Sequence, residues 1–464
     1  MQSVTSTISI PQLRADLTGR VITPDDPEYD QARTIVSGVF DLHPALIVRV
    51  ANDADVAHVV RLAAETGTEL AVRSGGHSGA GHSSTDGGIV IDLRDMKALE
   101  IDVAGRTAWA ETGLTAGEVT IAAAAHGLAV GFGDTASVGI GGITLGGGVG
   151  YLSRKHGLTI DHLLAADIVS ADGEVLRVDG DSHPDLFWAI RGGGGNFGVA
   201  TRFQYRLHEL DGIVGGMLVL PATAETVAGF VAAAEAAPEE LSTIANIMPA
   251  PPMPFLPEDV HGRLVILGML VYAGDAETGE RAIAPFRALA TPLADMVKPM
   301  SYPEMYPEEE GAEEYHPTAA ALTMFVNRVD RDVAETIMEH LEASDAAMRV
   351  AQLRVLGGAM ARVPAEATAF AHRASRIMVN VAAFYEGEAD RVVRQDWVDG
   401  FAAALMQDDP GAYVNFLVDE GEDRVRDAYP AATWDRLTQI KRRYDPTNLF
   451  HRNQNVPPAE SAGG

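Results

Sequence analysis

Three glycine-rich segments constrain this chain more than any other feature, because glycine lets the backbone approach a partner closely. They lie at residues 73–79, 131–150 and 191–198. Clustered glycines leave backbone N–H groups free to surround an anion such as a pyrophosphate. Each segment alone could be a glycine-rich turn between strands. Two such loops together, 74–79 and 139–148, with a histidine inside the first, favour a binding cradle.

The third segment has the glycine spacing of a dinucleotide-binding fingerprint, but the predicted secondary structure around it is in the wrong order. Gly193, Gly195 and Gly198 have the spacing of the dinucleotide motif, which requires a strand before it and a helix after it. Here residues 185–190 have helical spacing, and residues 199–207 are typical of a strand. The order is reversed, so we reject this interpretation.

The approach to the first loop is predicted as a strand–helix–strand unit. Residues 46–50 indicate a buried strand, Asn52 offers a helix N-cap, and Gly67 marks the helix end. Residues 70–72 then begin the next strand. Further along, the spacing of Thr115 and Glu118 predicts a capping box that opens another helix.

Composition excludes several classes of partner. The chain has 35 basic and 65 acidic residues, a net charge of −30, which repels phosphate backbones and anionic lipid. We therefore expect neither a nucleic-acid nor a membrane partner. The absence of cysteine excludes disulfides, thiolate nucleophiles and cysteine metal ligands. No apolar run reaches about 18 residues and no signal-peptide pattern is seen, so a cytoplasmic location is expected.

His77 is the most informative single residue, because it follows Gly75 and Gly76 in a polar loop. A metal site is disfavoured, since His82 is the nearest second ligand and no carboxylate cluster accompanies it. We therefore expect no metal. A nucleophilic imidazole facing a bound cofactor is the remaining interpretation.

Four motifs, in order and spanning nearly the whole chain, carry a family resemblance. They are Arg-Ser-Gly-Gly-His-Ser (73–78), Val-Gly-Ile-Gly-Gly with Leu-Gly-Gly-Gly-Val-Gly (138–150), Leu-Phe-Trp-Ala-Ile-Arg-Gly-Gly-Gly-Gly-Asn-Phe-Gly-Val (186–199) and Tyr-Asp-Pro-Thr-Asn-Leu-Phe (444–450). The chain resembles the vanillyl-alcohol-oxidase-type FAD-binding superfamily. Within it, the chain is most similar to the berberine-bridge-enzyme-like oxidases, including their bacterial members.

The resemblance implies FAD held by a single covalent bond from His77 to the flavin 8α-methyl carbon. Many plant members add a second bond from a cysteine at the position of Thr135, which this chain cannot form. The other implied cofactor-binding residues are Arg73, Ser74, Gly75, Gly76, Ser78, Gly139, Gly141 and Gly142 around the pyrophosphate, Val199 near the adenine–ribose half, Asn453 and Asn455 over the flavin, and, without an assigned position, Val138 and Gly198.

The resemblance also implies catalytic residues near the flavin, namely Tyr413, Asn415 and Asn380. If residues 411–416 form a strand, Tyr413 and Asn415 point to the same face. A tyrosine with its usual pKa of about 10 acts as a base only where a neighbour stabilises the phenolate. The alternative is a half-buried strand tyrosine. On the strand at 377–382, alternation places Asn380 beside Met378, which replaces a polar residue of the plant enzymes.

The predicted fold class is α+β: a two-lobed FAD-binding domain with a separate substrate domain of antiparallel sheet plus helices. We expect the FAD domain at residues 1–210, the substrate domain at 211–410, and a C-terminal segment, 411–464, that returns to the first domain. The acidic run at residues 308–314 is predicted to be a solvated loop.

The expected activity is hydride transfer from an alcohol, sugar or amine C–H of a small molecule to flavin N5, with O2 reoxidising the flavin to give H2O2. Three alternatives stay open. They are a dehydrogenase that uses another acceptor, a secondary-metabolite tailoring flavoenzyme, and a flavin-binding protein without turnover.

Overall fold

The first sheet of the structure, a computed structural model, leads into the first glycine loop. The structure describes residues 8–307 and 316–460, so the predicted acidic loop at 308–314 lies outside the described residues. This first part contains strands β1 (Arg20–Ile22), β2 (Leu46–Arg49), β3 (Leu70–Arg73) and β4 (Ile89–Asp92), and helices α1 (Ile10–Asp16), α2 (Tyr29–Arg33) and α3 (Asp53–Thr66). Strand β4 pairs in parallel with β2 and β3, and β1 pairs antiparallel with β2.

The predicted strand–helix–strand unit is confirmed. The Asn52 side chain caps α3 by accepting a hydrogen bond from the Asp55 backbone, and Gly67 ends the helix with a left-handed φ of 63°. Apolar residues of β2, α3 and β4 pack together, including Val48, Val59 and Ile91. Strand β3 therefore ends at a fixed point, where the chain enters the glycine loop.

The second lobe is built on an antiparallel sheet. Its strands and helices are β5 (Leu99–Asp102), β6 (Thr107–Glu111), β7 (Leu128–Ala129), β8 (Leu163–Val169), β9 (Val175–Asp179), β10 (Val199–Arg206), β11 (His208–Glu209), α4 (Ala116–Ala124), α5 (Ile140–Gly146), α6 (Ser153–His156) and α7 (Pro184–Ala189). The sheet order is β5-β6-β10-β8-β9, with β7 and β11 forming a separate pair. The capping box of Thr115 and Glu118 is confirmed. Helix α7 precedes Gly193 and strand β10 follows Gly198, which confirms that the dinucleotide fingerprint is absent there.

The third sheet is larger and lies entirely between residues 213 and 384. It contains β12 (Ile213–Pro221), β13 (Leu241–Pro249), β14 (Leu264–Ala273), β15 (Ala294–Asp295), β16 (Lys298–Met300), β17 (Ala319–Val326), β18 (Arg349–Val355) and β19 (Ile377–Phe384), with helices α8 (Ala224–Ala236), α9 (Ala276–Arg287), α10 (Arg331–Ala343), α11 (Ala359–Arg362) and α12 (Gly387–Leu405). The strand order is β15-β12-β14-β13-β18-β19-β17, and β16 also pairs with β12. The expected α+β class, with a two-lobed part and a separate antiparallel sheet with helices, is confirmed.

The two faces of β19 follow the predicted alternation. Ile377, Val379 and Val381 pack into a core shared with helices α8, α10 and α12. Met378 faces the other way and packs in a cluster that contains Tyr413. One face of this sheet is therefore covered by helices, and the other turns towards the glycine-rich segments.

The C-terminal segment packs against the second lobe. It contains α13 (Glu422–Asp427) and α14 (Ala431–Tyr444), and its Leu417 and Leu437 share a core with Phe203 of β10. Lys441 and Asp445 form a fully buried ion pair at 2.7 Å. The lysine Nζ also donates to the carbonyl oxygens of Asn196 and Phe450, at 2.7 and 2.8 Å. This network fixes the C-terminal segment against the third glycine-rich segment, while the exact domain boundaries stay a prediction.

The strand expected around Tyr413 is wrong. Residues Val414–Phe416 form a 3-10 turn, with the Phe416 backbone N–H donating to the Tyr413 carbonyl at 2.9 Å. Other such turns are Thr159–His162, Glu258–Val260, Tyr302–Met305 and Ala365–Ala367. The segment is held by a side-chain hydrogen bond in place of the backbone hydrogen bonds of a strand: Asn415 Nδ2 donates to the Ile143 carbonyl of α5 at 3.1 Å.

Within residues 8–307 and 316–460, no helix has the length and hydropathy needed to span a membrane.

Candidate active site

A cavity of about 600 Å³ lies where the three glycine-rich segments meet the large sheet. Its lining comes from residues 70–83 around the first loop, Leu93, and residues 133–149, 194–200, 413–417 and 450–454. The large sheet adds Ala321 of β17, Gln352 and Arg354 of β18, and Asn380 of β19. The volume lies within the range typical of small-molecule and cofactor sites, about 300–1,000 Å³. We refer to the glycine-rich side as the backbone wall and to the strands β17, β18 and β19 as the sheet wall.

Direct main-chain contact between the first two glycine loops forms the backbone wall. A Cβ atom added to Gly75 would lie 2.2 Å from the Gly139 nitrogen, and one added to Gly139 would lie 2.1 Å from the Gly75 nitrogen. Ser74 Oγ joins the same contact, accepting from the Gly141 N–H at 3.2 Å and donating to the Thr112 carbonyl at 2.5 Å. These glycines are therefore required by packing.

Other glycines of this wall face open space. A Cβ at Gly142 would meet no atom within 4 Å, and one at Gly76 would meet only the Arg73 side chain at 3.9 Å. Both residues line the cavity, so the chain carries no side chain at these two points of the lining. The lack of side chains thus leaves room for a ligand close to the backbone.

His77 lies in the cavity wall and is half-buried. Burial lowers the pKa of its imidazole, and a hydrogen bond with the Ser137 backbone opposes this only in part. The ring is therefore neutral at pH 7 and has a lone pair available. Burial also lowers the pKa of the nearby His82, to about 4. In the part of the chain that the structure describes, no group of three or more metal-ligating side chains comes together.

Tyr413 is 2% exposed, and three donors surround its phenolic oxygen. The backbone N–H groups of Gly148 and Val149 donate to it at 2.9 and 3.2 Å, and Asn415 Nδ2 donates at 3.0 Å. Burial raises the pKa of the phenol, whereas these donors and the charge of Arg354 lower it, and the net direction is upward. The side chains of Tyr413 and Asn415 therefore do meet, through the turn.

The sheet wall presents a row of polar side chains. Gln352 of β18 and Asn380 of β19 are register partners that line the cavity. Asn246, on the adjacent strand β13, is the register partner of Gln352 on its other side, and Gln352 Nε2 donates to Asn246 Oδ1 at 2.8 Å. Two residues along β18, Arg354 donates through Nε to Gln352 Oε1 at 2.9 Å. Its Nη2 forms an ion pair at 2.6 Å with Asp134, which belongs to the backbone wall. A charged bridge therefore joins the two walls.

Comparison with known proteins agrees with this architecture. Residues 44–179 match the profile of an FAD binding domain, and residues 412–457 match the profile described as berberine and berberine like. The (R)-6-hydroxynicotine oxidase of Paenarthrobacter nicotinovorans is 31% identical over 96% of this chain and 97% of its own length.

The chain belongs to the berberine-bridge-enzyme-like family of FAD-linked oxidoreductases.

Two further relatives match this chain over most of its length. The crystal structure of 6-hydroxy-D-nicotine oxidase from Arthrobacter nicotinovorans superposes with a TM-score of 0.84, at 29% identity, over 96% of this chain and 98% of that one. The xylooligosaccharide oxidase of Thermothelomyces thermophilus is 29% identical over 90% of this chain and 88% of its own length. The protein is an FAD-dependent oxidoreductase.

The residues of the backbone wall fit FAD. A dinucleotide needs backbone N–H groups near its pyrophosphate, and the open space beside Gly142 and Gly76 supplies such a place. Asn453 also lines the cavity, and its buried Oδ1 has no hydrogen-bond partner among the described residues. A buried acceptor of this kind needs a donor from a ligand or water.

The structure brings most of the predicted site residues together. The predicted residues that line the cavity are Ser74, Gly75, Gly76, His77, Ser78, Thr135, Val138, Gly139, Gly141, Gly142, Gly198, Val199, Asn380, Tyr413, Asn415 and Asn453. Arg73 and Asn455 lie outside this lining. Arg73 is buried behind the loop, where it donates to the carbonyl oxygens of Ser83, at 3.2 Å, and of Ala32. Burial lowers its pKa to about 10.

Sequence reasoning missed Asp134, Gln352, Arg354 and Arg452, which all line the cavity. A signal was present for two of them. In Val-Ala-Gln-Leu-Arg-Val, residues 350–355, polar residues alternate with apolar ones, which places Gln352 and Arg354 on one face of a strand. Asp134 gave no comparable signal, since it lies in a loop 220 residues from its partner.

Proposed function

We propose that this flavoenzyme carries FAD on a single covalent bond to His77 and oxidises a small organic substrate, with O2 as the acceptor and H2O2 as a product. The observation that carries the proposal is the position of His77 in the cavity wall, beside the loop contact of Gly75 and Gly139. Relatives named as oxidases support the use of O2. Thr135, where a second link would need a cysteine, supports a single bond.

The residues of the backbone wall would hold the cofactor. Loops 74–78 and 139–142 would contribute backbone N–H groups to the pyrophosphate, and Asn453 would offer its free Oδ1. When bound, FAD supplies the hydride acceptor of substrate oxidation and the electrons for O2. A lone pair on the His77 ring is available for the covalent bond because burial keeps the imidazole neutral.

Tyr413 is proposed as the residue that accepts the substrate proton, at its phenolic oxygen. The N–H groups of Gly148 and Val149 and the Asn415 amide would stabilise the negative oxygen, as oxyanion donors do in other enzymes. Burial raises the pKa of the phenol, and these donors oppose that rise by favouring the ionised form. Asn380 and Gln352 would orient polar groups of the substrate.

Acid precipitation of the purified protein tests the covalent bond. We expect yellow colour to stay in the washed pellet of the wild type and to move to the supernatant in His77→Ala. His82→Ala, in the same loop region, is the matched control and should keep its colour in the pellet. Yellow that leaves the wild-type pellet would refute the covalent bond, and a colourless protein that cannot be reconstituted with FAD would refute the whole proposal.

Oxygen consumption then separates an oxidase from a dehydrogenase. After anaerobic reduction of the bound flavin, admission of air should restore the oxidised spectrum within seconds, with stoichiometric H2O2. Reoxidation that needs minutes in air but is fast with a quinone or dye acceptor would instead identify a dehydrogenase.

A further inference from the structure

Arg354 has an unfilled donor at the boundary of the cavity. Its side chain is on the same face of β18 as Gln352, and the residue is 5% exposed. Nε and Nη2 have acceptors, but Nη1 is buried and has no partner among the described residues. A buried donor without an acceptor is costly, about 1–3 kcal/mol, so an acceptor atom from outside the chain is expected there.

The charge around Arg354 restricts what that acceptor can be. Among the described residues that line the cavity, Asp134 is the one carboxylate, and it is already paired with Arg354 at 2.6 Å. The other lining guanidinium, Arg452, belongs to the backbone wall, where it donates to the Ser84 carbonyl at 3.0 Å. A cationic ligand would therefore find no free carboxylate at Arg354. An anionic ligand would have to approach Asp134 as well.

The Phe416 ring adds a flat apolar surface at the same place. The Arg354 guanidinium carbon lies 5.1 Å from the ring centroid, within the range of a cation–π contact. Phe416 also lines the cavity. A planar ligand carrying an oxygen atom could thus meet an apolar face and a hydrogen-bond donor together.

We infer that Arg354 and Asp134 together select uncharged, oxygen-bearing substrates. Nη1 donates a hydrogen bond to a neutral hydroxyl or carbonyl oxygen, and Asp134 cancels the charge that would otherwise attract anions. The inference rests on the proposed function, because it assigns the substrate class of the same cavity. Arg354 is a specificity-determining residue under this assignment.

A bound water is the competing acceptor for Nη1. A second cavity of about 20 Å³ also borders Arg354, and its lining includes Ser242 and Thr243, whose hydroxyls have no hydrogen-bond partner among the described residues. That volume is large enough for about one water molecule. If water alone satisfies Nη1, changing the charge of the pair should not alter which ligands bind in the main cavity.

Three nearly isosteric probes test the inference on the flavin-loaded protein: benzamide (uncharged), benzoate (anionic) and benzamidine (cationic). Binding is followed by calorimetry and by perturbation of the visible flavin spectrum. We expect the wild type to bind benzamide at least tenfold more tightly than either charged probe. Asp134→Asn keeps an acceptor for Nη2 but removes the negative charge beside the Arg354 guanidinium. This variant should therefore bind benzoate at least tenfold more tightly than the wild type does. Arg354→Gln should gain affinity for benzamidine.

Charge-matched controls are available on the surface. Glu239→Gln and Arg376→Gln change the net charge by the same amounts, at exposed ion pairs with Arg362 and Glu235. Both should keep the wild-type order of probes. An unchanged order in Asp134→Asn and Arg354→Gln, or a wild type that prefers benzoate or binds none of the probes, would overturn the inference. A protein without flavin would instead refute the proposed function, so the two failures are distinguishable.

Discussion

The two walls of the cavity differ in the kind of group that they offer. The backbone wall meets a ligand with main-chain N–H groups, and its shape depends on glycines such as Gly75 and Gly139, whose backbones touch. The sheet wall meets a ligand with side chains, including Gln352 and Arg354, on a strand whose other face is packed under helices. The first wall therefore tolerates little change, whereas the second can change its chemistry while the sheet stays intact.

The largest effect is expected where the backbone wall leaves open space. Gly142→Leu should fold, because Gly142 lies in α5 and leucine is a good helix former. Gly142 lines the cavity and a Cβ there meets open space, so the leucine would compete with the cofactor for that space, and we expect flavin content to fall below about a tenth of wild type, measured by absorbance. Gly400→Leu is the matched control, since Gly400 is also helical and also faces open space, but lies on α12 away from the cavity. Normal flavin content in Gly142→Leu would show that this space is not the cofactor cradle.

The next largest effect should arise where the two walls meet, at Tyr413. Tyr413→Phe removes the proposed proton acceptor, and we expect the rate of flavin reduction by substrate to fall about 10²- to 10⁴-fold. It also leaves the Gly148 and Val149 N–H groups without their acceptor, at a cost of about 1–3 kcal/mol. Tyr429→Phe is the control: Tyr429 is equally buried but outside the cavity lining, and should lose some stability with no loss of rate. An unchanged reduction rate in Tyr413→Phe would favour a structural tyrosine.

The difference between the walls also explains which parts were predictable from sequence. A backbone wall needs glycine at fixed positions, so the loops at Gly75 and Gly139, with His77 between the strands, were visible in the sequence. The sheet wall depends on pairing between distant residues, and the bridge from Arg354 to Asp134 joins positions 220 residues apart. No local pattern predicts such a contact.

The turn at Tyr413 was mispredicted for a related reason. Alternation correctly described β19, because that strand has partners on both sides. The Tyr-Val-Asn segment has a similar pattern but is held by Asn415 against Gly146, where a Cβ atom would lie 2.0 Å from the amide oxygen. A tertiary side-chain contact thus replaced the strand hydrogen bonds that the pattern implied.

A smaller effect, on stability, is expected at the contact between the backbones of Gly75 and Gly139. Gly139→Ala introduces a Cβ 2.1 Å from the Gly75 nitrogen, so one loop must move. We expect a loss of about 1–3 kcal/mol in the free energy of unfolding, typical of overpacking, measured by urea denaturation. Gly400→Ala serves as the control and should be neutral or stabilising, because it replaces a helical glycine. Full stability in Gly139→Ala would show that the loops do not need to touch.

The smallest expected effect is a shift in the pH dependence of flavin reduction. It tests whether Arg354 of the sheet wall changes the pKa of Tyr413, whose phenolic oxygen accepts hydrogen bonds from the backbone wall. Burial raises the pKa of Tyr413 above its ordinary value of 10.0, and the charge of Arg354 is among the influences that lower it. If the phenolate is the base, the ionised fraction below the pKa grows tenfold per pH unit, so flavin reduction should accelerate with pH across the neutral range. Arg354→Met removes the lowering charge and should move the profile to higher pH, reducing the rate at pH 8 by up to about tenfold. Arg376→Met, an exposed cation just before β19, should leave the profile in place. A flat profile would exclude Tyr413 as the titrating base, and an unmoved one in Arg354→Met would show that the two walls act independently.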